Sequence, residues 1–203
     1  MRTATFNALN GNYKISDFKV KGAEGGGSDY AQKINANGTW GDTYYYLTED
    51  GMGVSDGWYK DGFGDEAVTD KDTISIGEAV IVTAGAEFTM TVSGQVVSGR
   101  ATVLVPSGFS IVGNPTPIEA KIGNIDVVGA EGGGSDYAQK INADGTWGDT
   151  YYYLTEDGMG VSDGWYKDGF GDEPISGNDV LAPGESMIFS SVNDMTLKFP
   201  AVL

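Results

Sequence analysis

Two acidic loops in each half of the chain contain the residues whose types and spacing are best suited to binding a cation. They span 49–57 and 60–66 and recur at 156–164 and 167–173. Calcium takes six to eight oxygen ligands, which short loops of Asp, Glu and Gly can supply from carboxylates and backbone carbonyls. The sequence therefore predicts Ca²⁺ as its one cofactor, bound by some of these acids: Asp42, Glu49, Asp50, Asp56, Asp61, Asp65, Glu66, Asp149, Glu156, Asp157, Asp163, Asp168, Asp172 and Glu173.

The same acids have a plainer interpretation. No loop matches the helix-flanked twelve-residue calcium pattern. Asp-Gly pairs also form turns, and acids on a surface keep a protein soluble. A pair of carboxylates can catalyse the hydrolysis of glycosides. Acids are so abundant in this sequence, however, that the presence of a pair does not indicate catalysis. Calcium sites and solvated turns both remain open, and no catalytic residue is predicted.

Aromatic side chains concentrate beside the acids. Successive residues of a strand point to opposite faces, so Tyr44, Tyr45 and Tyr46 cannot all join one core. The cluster could pack inside, form a protein interface or stack on sugar rings. The candidates for an interface or sugar platform are Tyr44, Tyr46, Trp58, Tyr59, Tyr151, Tyr153, Trp165 and Tyr166.

The residue types that are missing exclude several functions. The chain has 203 residues with no Cys and no His, which rules out Cys-ligated zinc, thiol catalysis and a Ser-His-Asp triad. Its net charge of −17 argues against nucleic acid and anionic membranes. Gly25-Gly26-Gly27 lacks the Lys and Ser/Thr of a phosphate-binding loop, so it is interpreted as a connector.

An internal repeat organises the chain. Residues 22–66 recur at 129–173, 107 positions later, with Asn37 replaced by Asp144 as the one difference. Weaker similarity at the same offset predicts two units, 1–97 and 98–203, with 14–96 superposing on 121–203. At this offset Met1 falls opposite Gly108, so the first unit is expected to lack a counterpart of the strand Ala101–Val105. Either 3–6 or 195–203 of another subunit could fill that place, or 3–6 could fold back into its own unit.

Short β-branched runs between Gly, Asn and Asp predict strands throughout. The expected fold is all-β, with two tandem antiparallel β-sandwich or barrel-like units. One short helix is considered over Ser28–Asn35. Asn37-Gly38 and Asp144-Gly145 predict two-residue type I′ hairpin turns. The predicted strands are 15–21, 32–36, 43–48, 57–60, 79–83, 88–92, 101–105, 109–112 and 122–128, with the second block repeating the set and ending in 186–190 and 195–199.

These features predict a non-enzymatic extracellular structural protein, a self-assembling subunit of a filament, sheath or surface layer. Its expected partner is itself, through strand exchange, with glycans as another candidate and neither nucleic acid nor membrane insertion expected. Residues 108–115 and 181–186 resemble stretches of repetitive β-rich bacterial surface proteins, which implies a cell-surface or extracellular location. Met1–Asn7 has no apolar leader core, so a leader is expected to be absent from this sequence. The alternatives are a carbohydrate-binding or adhesion module and a viral capsid or tail protein.

Overall fold

The computed structural model describes nine stretches of the chain. They are residues 2–5, 13–49, 55–60, 66–91, 99–142, 144, 146–156, 162–167 and 173–202. These residues form strands and two three-residue 3-10 helices, Ile15–Asp17 and Ile122–Asn124. The predicted all-β class is confirmed, and the open sheets fit a sandwich-like architecture. Within these stretches no helix has the length and apolarity that crossing a membrane requires.

The described part of the chain contains twenty-one strands, ten of which precede residue 99. Their bounds are β1 Arg2–Thr5, β2 Tyr13–Lys14, β3 Lys19–Lys21, β4 Tyr30–Ile34, β5 Trp40–Leu47, β6 Gly57–Lys60, β7 Glu66–Ala67, β8 Thr73–Ile74, β9 Ala79–Thr83 and β10 Thr89–Thr91.

Eleven strands follow. Their bounds are β11 Thr102–Val105, β12 Gly108–Gly113, β13 Ala120–Lys121, β14 Asp126–Val128, β15 Tyr137–Ile141, β16 Trp147–Leu154, β17 Gly164–Lys167, β18 Glu173–Pro174, β19 Val180–Leu181, β20 Ser186–Ser191 and β21 Met195–Lys198.

Two six-stranded antiparallel sheets form the frame. Their strand orders are β1-β9-β4-β5-β6-β7 and β12-β20-β15-β16-β17-β18. The corresponding strand pairs of the two sheets have the same register. Tyr30 of β4 lies opposite Thr83 of β9, and 107 residues later Tyr137 of β15 lies opposite Ser190 of β20. The smaller sheets are β10-β3, β2-β8, β13-β19 and β11-β21-β14.

The strand β9 shows how the cores are arranged. Val80 and Val82 pack into a core with Tyr44, Trp58 and the small strands around them. The alternate residues of β9 point to the other face, because side chains alternate along a strand. A second core lies on the corresponding face of the β12–β18 sheet, with Met187 and Phe189 of β20 packed on Leu197 of β21.

A third apolar cluster joins the two large sheets. It contains Ala79 and Ile81 from β9, with Ile111 and Ile188 from the other sheet, and Phe109 packs at its margin. Ile81 is 2% exposed and Ile188 is 4% exposed, so this contact is a true core. The two large sheets therefore pack against each other and not only on their own small strands.

Two local predictions require correction. The helix considered over Ser28–Asn35 is wrong, because β4 occupies Tyr30–Ile34 and alternates a buried Ala31 with neighbours that are more exposed. The tight turn beside it is also different. Asn35 N–H donates to Thr39 O and Gly38 N–H to Asn35 O, which encloses three residues and not two. With Gly38 at φ +81° this is the three-residue hairpin loop, a type I turn followed by a left-handed glycine.

The amino-terminal strand folds back within the chain. Arg2–Thr5 pairs antiparallel with β9, with Ala4 opposite Val80. This is the place that β12 occupies beside β20, and not the place of β11. Met195–Lys198 pairs with β11 and β14 of its own half.

Candidate functional site

Many of the described acidic and aromatic residues of each block lie along one hairpin. β5 and β6 pair with Tyr44 opposite Lys60 and Tyr46 opposite Trp58. β16 and β17 repeat this pairing with Tyr151 opposite Lys167. Aromatic and β-branched residues favour such half-buried pleated surfaces, so the block folds into the sheet and brings its charges to the sheet margin.

The first group of charges is centred on Lys60, which pairs with two carboxylates. Lys60 Nζ lies 2.8 Å from Asp42 Oδ2 and 3.3 Å from Asp72 Oδ1. The same ammonium lies 5.9 Å from the centre of the Tyr44 ring. In the second block Lys167 Nζ lies 2.7 Å from Asp149 Oδ2 and 3.0 Å from Asp179 Oδ1. The predicted metal ligands Asp42 and Asp149 therefore neutralise lysines.

Asp72 and Asp179 are buried members of these groups that sequence reasoning missed. Asp72 Oδ2 accepts hydrogen bonds from Thr69 N–H at 2.7 Å and Thr69 Oγ1 at 2.9 Å. Burial by itself raises the pKa of Asp72, but the hydrogen bonds from Thr69 and Lys60 outweigh it and lower that pKa. The pKa of Asp179 is lowered in the same way. The missed signal was a hydroxyl residue three positions before each Asp, Thr69 and Ser176.

One acidic side chain of the 49–57 loop, and its counterpart in the second block, connects the two ends of its loop. Asp56 Oδ1 accepts a hydrogen bond from Glu49 N–H at 2.6 Å, and Asp163 Oδ1 accepts one from Glu156 N–H at 2.5 Å. Both Asp side chains sit on exposed residues. Each Asp thus ties the two ends of its loop together.

The remaining acids are placed as follows. Glu66 lies opposite Lys60 on the β6–β7 pair, and Glu173 lies opposite Lys167. Among the residues that the structure describes, no three Asp or Glu form a group that could hold a metal. Six predicted ligands lie outside the described residues: Asp50, Asp61, Asp65, Asp157, Asp168 and Asp172. Calcium binding stays a prediction of the sequence.

The aromatic candidates divide between core and margin. Tyr44 and Tyr151 are each 1% exposed, and burial next to carboxylates raises the pKa of both hydroxyls. Trp58 is buried, donates from Nε1 to Phe18 O at 3.2 Å, and meets the Tyr46 ring edge-on at 5.4 Å.

The second block repeats most of this packing. Trp165 Nε1 donates to Ile125 O at 2.9 Å, and Tyr153 packs against its ring edge-on. Tyr166 is buried, whereas its counterpart Tyr59 is partly exposed. Buried rings cannot stack on a sugar, so the buried members of this set follow the core alternative, and an interface or sugar platform stays a prediction for the others.

Two other tryptophans are exposed. Trp40 is 50% exposed and Trp147 is 60% exposed, and each begins the second strand of its hairpin. Sequence reasoning did not select them. Their position one residue after the hairpin loop, where a strand leaves the sheet margin, was the signal that could have found them.

Each Gly-rich connector is fixed by one buried carboxylate. Asp29 is 0% exposed, and its Oδ2 accepts from Glu24 N–H at 2.7 Å and Gly25 N–H at 3.1 Å. Its Oδ1 accepts from Gly85 N–H at 2.9 Å. Asp136 accepts the corresponding three bonds from Glu131, Gly132 and Val192. The connector is therefore held closed by an acid inside it.

A groove of about 360 Å³ lies between the two large sheets. Phe109 and Ser110 line it on one side, and Lys33 and Glu78 on the other. Lys33 Nζ lies 2.8 Å from Glu78 Oε1 and donates to Thr73 O at 2.8 Å, so its charge is paired. The groove thus presents mainly apolar surface with one internal ion pair.

No known family model matches this chain, and no curated protein or solved structure is similar to it at a significant level.

Proposed function

We propose that the protein is a non-enzymatic structural subunit of the cell surface or extracellular space, which assembles into a filament, sheath or layer. One observation carries this proposal. Acidic side chains, which could in principle bind a metal or catalyse a reaction, instead hold loops in place at equivalent positions of both blocks. Asp29 and Asp136 close the connectors, and Asp56 and Asp163 close the acidic loops.

The geometry suits a load-bearing body. The cluster around Ile81 and Ile188 joins the large sheets, so the two halves resist separation by burying apolar area. Backbone pairing runs antiparallel across six strands in each large sheet. A subunit built this way gains stiffness from shared cores and not from a hinge.

The charge sets the conditions for assembly. At −17 the subunits repel one another at low ionic strength. Salt at about 0.15 M reduces the screening length to about 8 Å, which leaves only close contacts between charges. Assembly should therefore strengthen as salt rises.

Microscopy tests the proposal directly. Purified full-length protein is imaged by negative stain at low and physiological salt, and its mass is followed by analytical ultracentrifugation. We expect fibres, sheets or concentration-dependent oligomers that increase with salt. Discrete monomers at millimolar concentration under all salt conditions would overturn the proposal. Closed particles of fixed size would instead favour the viral capsid alternative.

The exposed tryptophans favour a second candidate, a module that binds carbohydrate. Trp40 and Trp147 are exposed at matching places in the two halves, and two equal sites on one chain would bind a polymer with avidity. A glycan array followed by titration tests this. Binding that falls in Trp40→Ala and again in the double variant Trp40→Ala, Trp147→Ala supports it, with Trp58 left intact as the internal control.

A further inference from the structure

The strand β10 differs from its counterpart β21 in how many neighbours it has. β21 lies between β11 and β14, with Leu197 opposite both Val103 and Val127. β10 pairs with β3 in the matching register, with Met90 opposite Val20. In the described part of the chain no strand pairs with the other edge of β10.

The apolar side chains next to this edge are also more exposed than their counterparts on β21. Met195 and Leu197 of β21 are 2% and 0% exposed, because Val103 and Val105 of β11 belong to the same core. Phe88 and Met90 hold the corresponding positions in the first half. Both pack against their core but are only partly buried. The first half therefore offers open apolar surface where the second half is closed.

The turn that contacts β11 also has an open counterpart. A Cβ built on Gly77 would lie 2.3 Å from Val103 Cγ2, so β11 fits against the Gly77 turn. Gly184 stands 107 residues later in the equivalent turn, also with positive φ. A Cβ built on Gly184 would meet no described heavy atom within 4 Å. The edge of β10 and the Gly184 turn, which are the counterparts of the two features that hold β11, are thus each without such a contact in the described residues.

We propose that this slot, the open edge of β10 beside Phe88 and Met90, accepts an extended strand from a neighbouring subunit. The strand runs antiparallel to β10 and carries small β-branched residues at alternate positions. The β11 register places a Val103-like residue opposite Met90 and a Val105-like residue opposite Phe88. The neighbouring subunit as source rests on the proposed function, whereas the slot itself rests on the geometry.

Strand addition is physically suited to the site. An edge strand leaves alternate N–H and C=O groups without strand partners, and an added strand satisfies them along its whole length. The apolar residues at alternate positions then supply specificity, because each must reach the core side of the pleat. A one-residue slip would turn those residues to solvent.

A peptide in trans tests the slot. The probe is a fluorescent peptide with the sequence of residues 99–107, which contains β11. Its anisotropy is followed on titration with the full-length protein. The control peptide carries V103D and V105D. We expect saturable binding of the probe and at least about tenfold weaker binding of the control, since two buried valines are lost.

Protein variants locate the binding. Met90→Asp should abolish it, whereas Thr89→Asp, on the exposed neighbouring position, should leave it within about twofold. Circular dichroism checks that both variants fold. If Met90→Asp unfolds, hydrogen exchange on the unaltered protein serves instead. The bound peptide should slow exchange at residues 88–91, and protection elsewhere without protection there overturns the proposal.

The outcomes separate this inference from the proposed function. Peptide binding by a protein that stays monomeric supports the slot and counts against self-assembly. Assembly without peptide binding overturns the slot and leaves the structural role standing. Equal binding of the probe and the V103D, V105D peptide overturns the slot, because the contact would then ignore the alternating residues.

Discussion

Asn37 and Asp144 make the same two hydrogen bonds, although they are the one pair of residues that differs between the two blocks. Asn37 Oδ1 accepts from Thr39 N–H at 3.0 Å and Thr39 Oγ1 at 2.6 Å. Asp144 Oδ1 accepts from Thr146 N–H at 2.9 Å and Thr146 Oγ1 at 2.6 Å. The hairpin needs an acceptor at this atom and not a charge, which explains why the block tolerates either residue.

This relationship predicts that Asp144→Asn, which keeps the acceptor and loses only the charge, destabilises the protein slightly at pH 7. Asn37→Ala should lower the free energy of unfolding by about 1 kcal/mol, since both hydrogen bonds are lost. Urea denaturation measures the difference, with Asn37→Asp as the matched control. The hydroxyl and backbone N–H of Thr146 lower the pKa of Asp144. A large loss of stability in Asp144→Asn at neutral pH would contradict this account.

Asp72 and Asp179 predict a loss of stability in acid. Their pKa values are lowered by folding from an ordinary 3.8, so their contribution is present above that pH and disappears as pH falls through the folded values. We expect Asp72→Asn to cost about 1 to 2 kcal/mol at pH 7 and progressively less below pH 4. Urea midpoints measured between pH 2 and 7 check this. A cost that persists undiminished at pH 2 would be inconsistent with an ionised Asp72.

The buried carboxylate of Asp29 predicts a larger effect. Asp29→Ala removes the acceptor of three backbone N–H groups and should destabilise the protein by about 3 kcal/mol or more. Ser28→Ala is the matched control on the same connector, since Ser28 makes one partly buried hydrogen bond to Gly25 O. Thermal and urea unfolding compare the two. Equal, small effects would show that the connector does not depend on Asp29.

The contact between the large sheets predicts a core-like response. Ile188→Ala should cost about 3 kcal/mol, because Ile188 is 4% exposed and packs in the cluster with Ile81. Leu104→Ala, at a residue 66% exposed, should change stability by less than about 0.5 kcal/mol. The urea slope should stay constant in both variants. Similar losses for the two would mean that the sheets do not share a core.

The acidic loops predict a response to calcium. After chelation, calcium at millimolar concentration should raise the melting temperature, since a ligand that binds the folded state stabilises it by mass action. Sodium at equal ionic strength is the control for simple screening of the −17 charge. An identical melting temperature with calcium and with sodium would show that the acids are solvated turns.

Several features could be predicted from the sequence because they depend on neighbours along the chain. Residues 79–83 are a short apolar run of mostly β-branched residues without a helical period, and they form the strand β9. The strand Gly57–Lys60 was predicted with its observed bounds. The acids of the candidate site were chosen by type, yet their partners were not, because Asp42 meets Lys60 only across the β5–β6 pair.

The tertiary structure decided what lies far apart in sequence. Ala79 and Val80 are chemically similar neighbours, but only the packing of two sheets assigns one to the inter-sheet cluster and the other to the core of the first half. Likewise, residue type does not distinguish the buried Trp58 from the exposed Trp40. Local propensity determines that a segment forms a pleated strand, whose successive side chains point to opposite faces of the sheet. Which of the two faces is buried depends on the other element that packs against it. That choice is made by the free energy of burying apolar area across the whole fold.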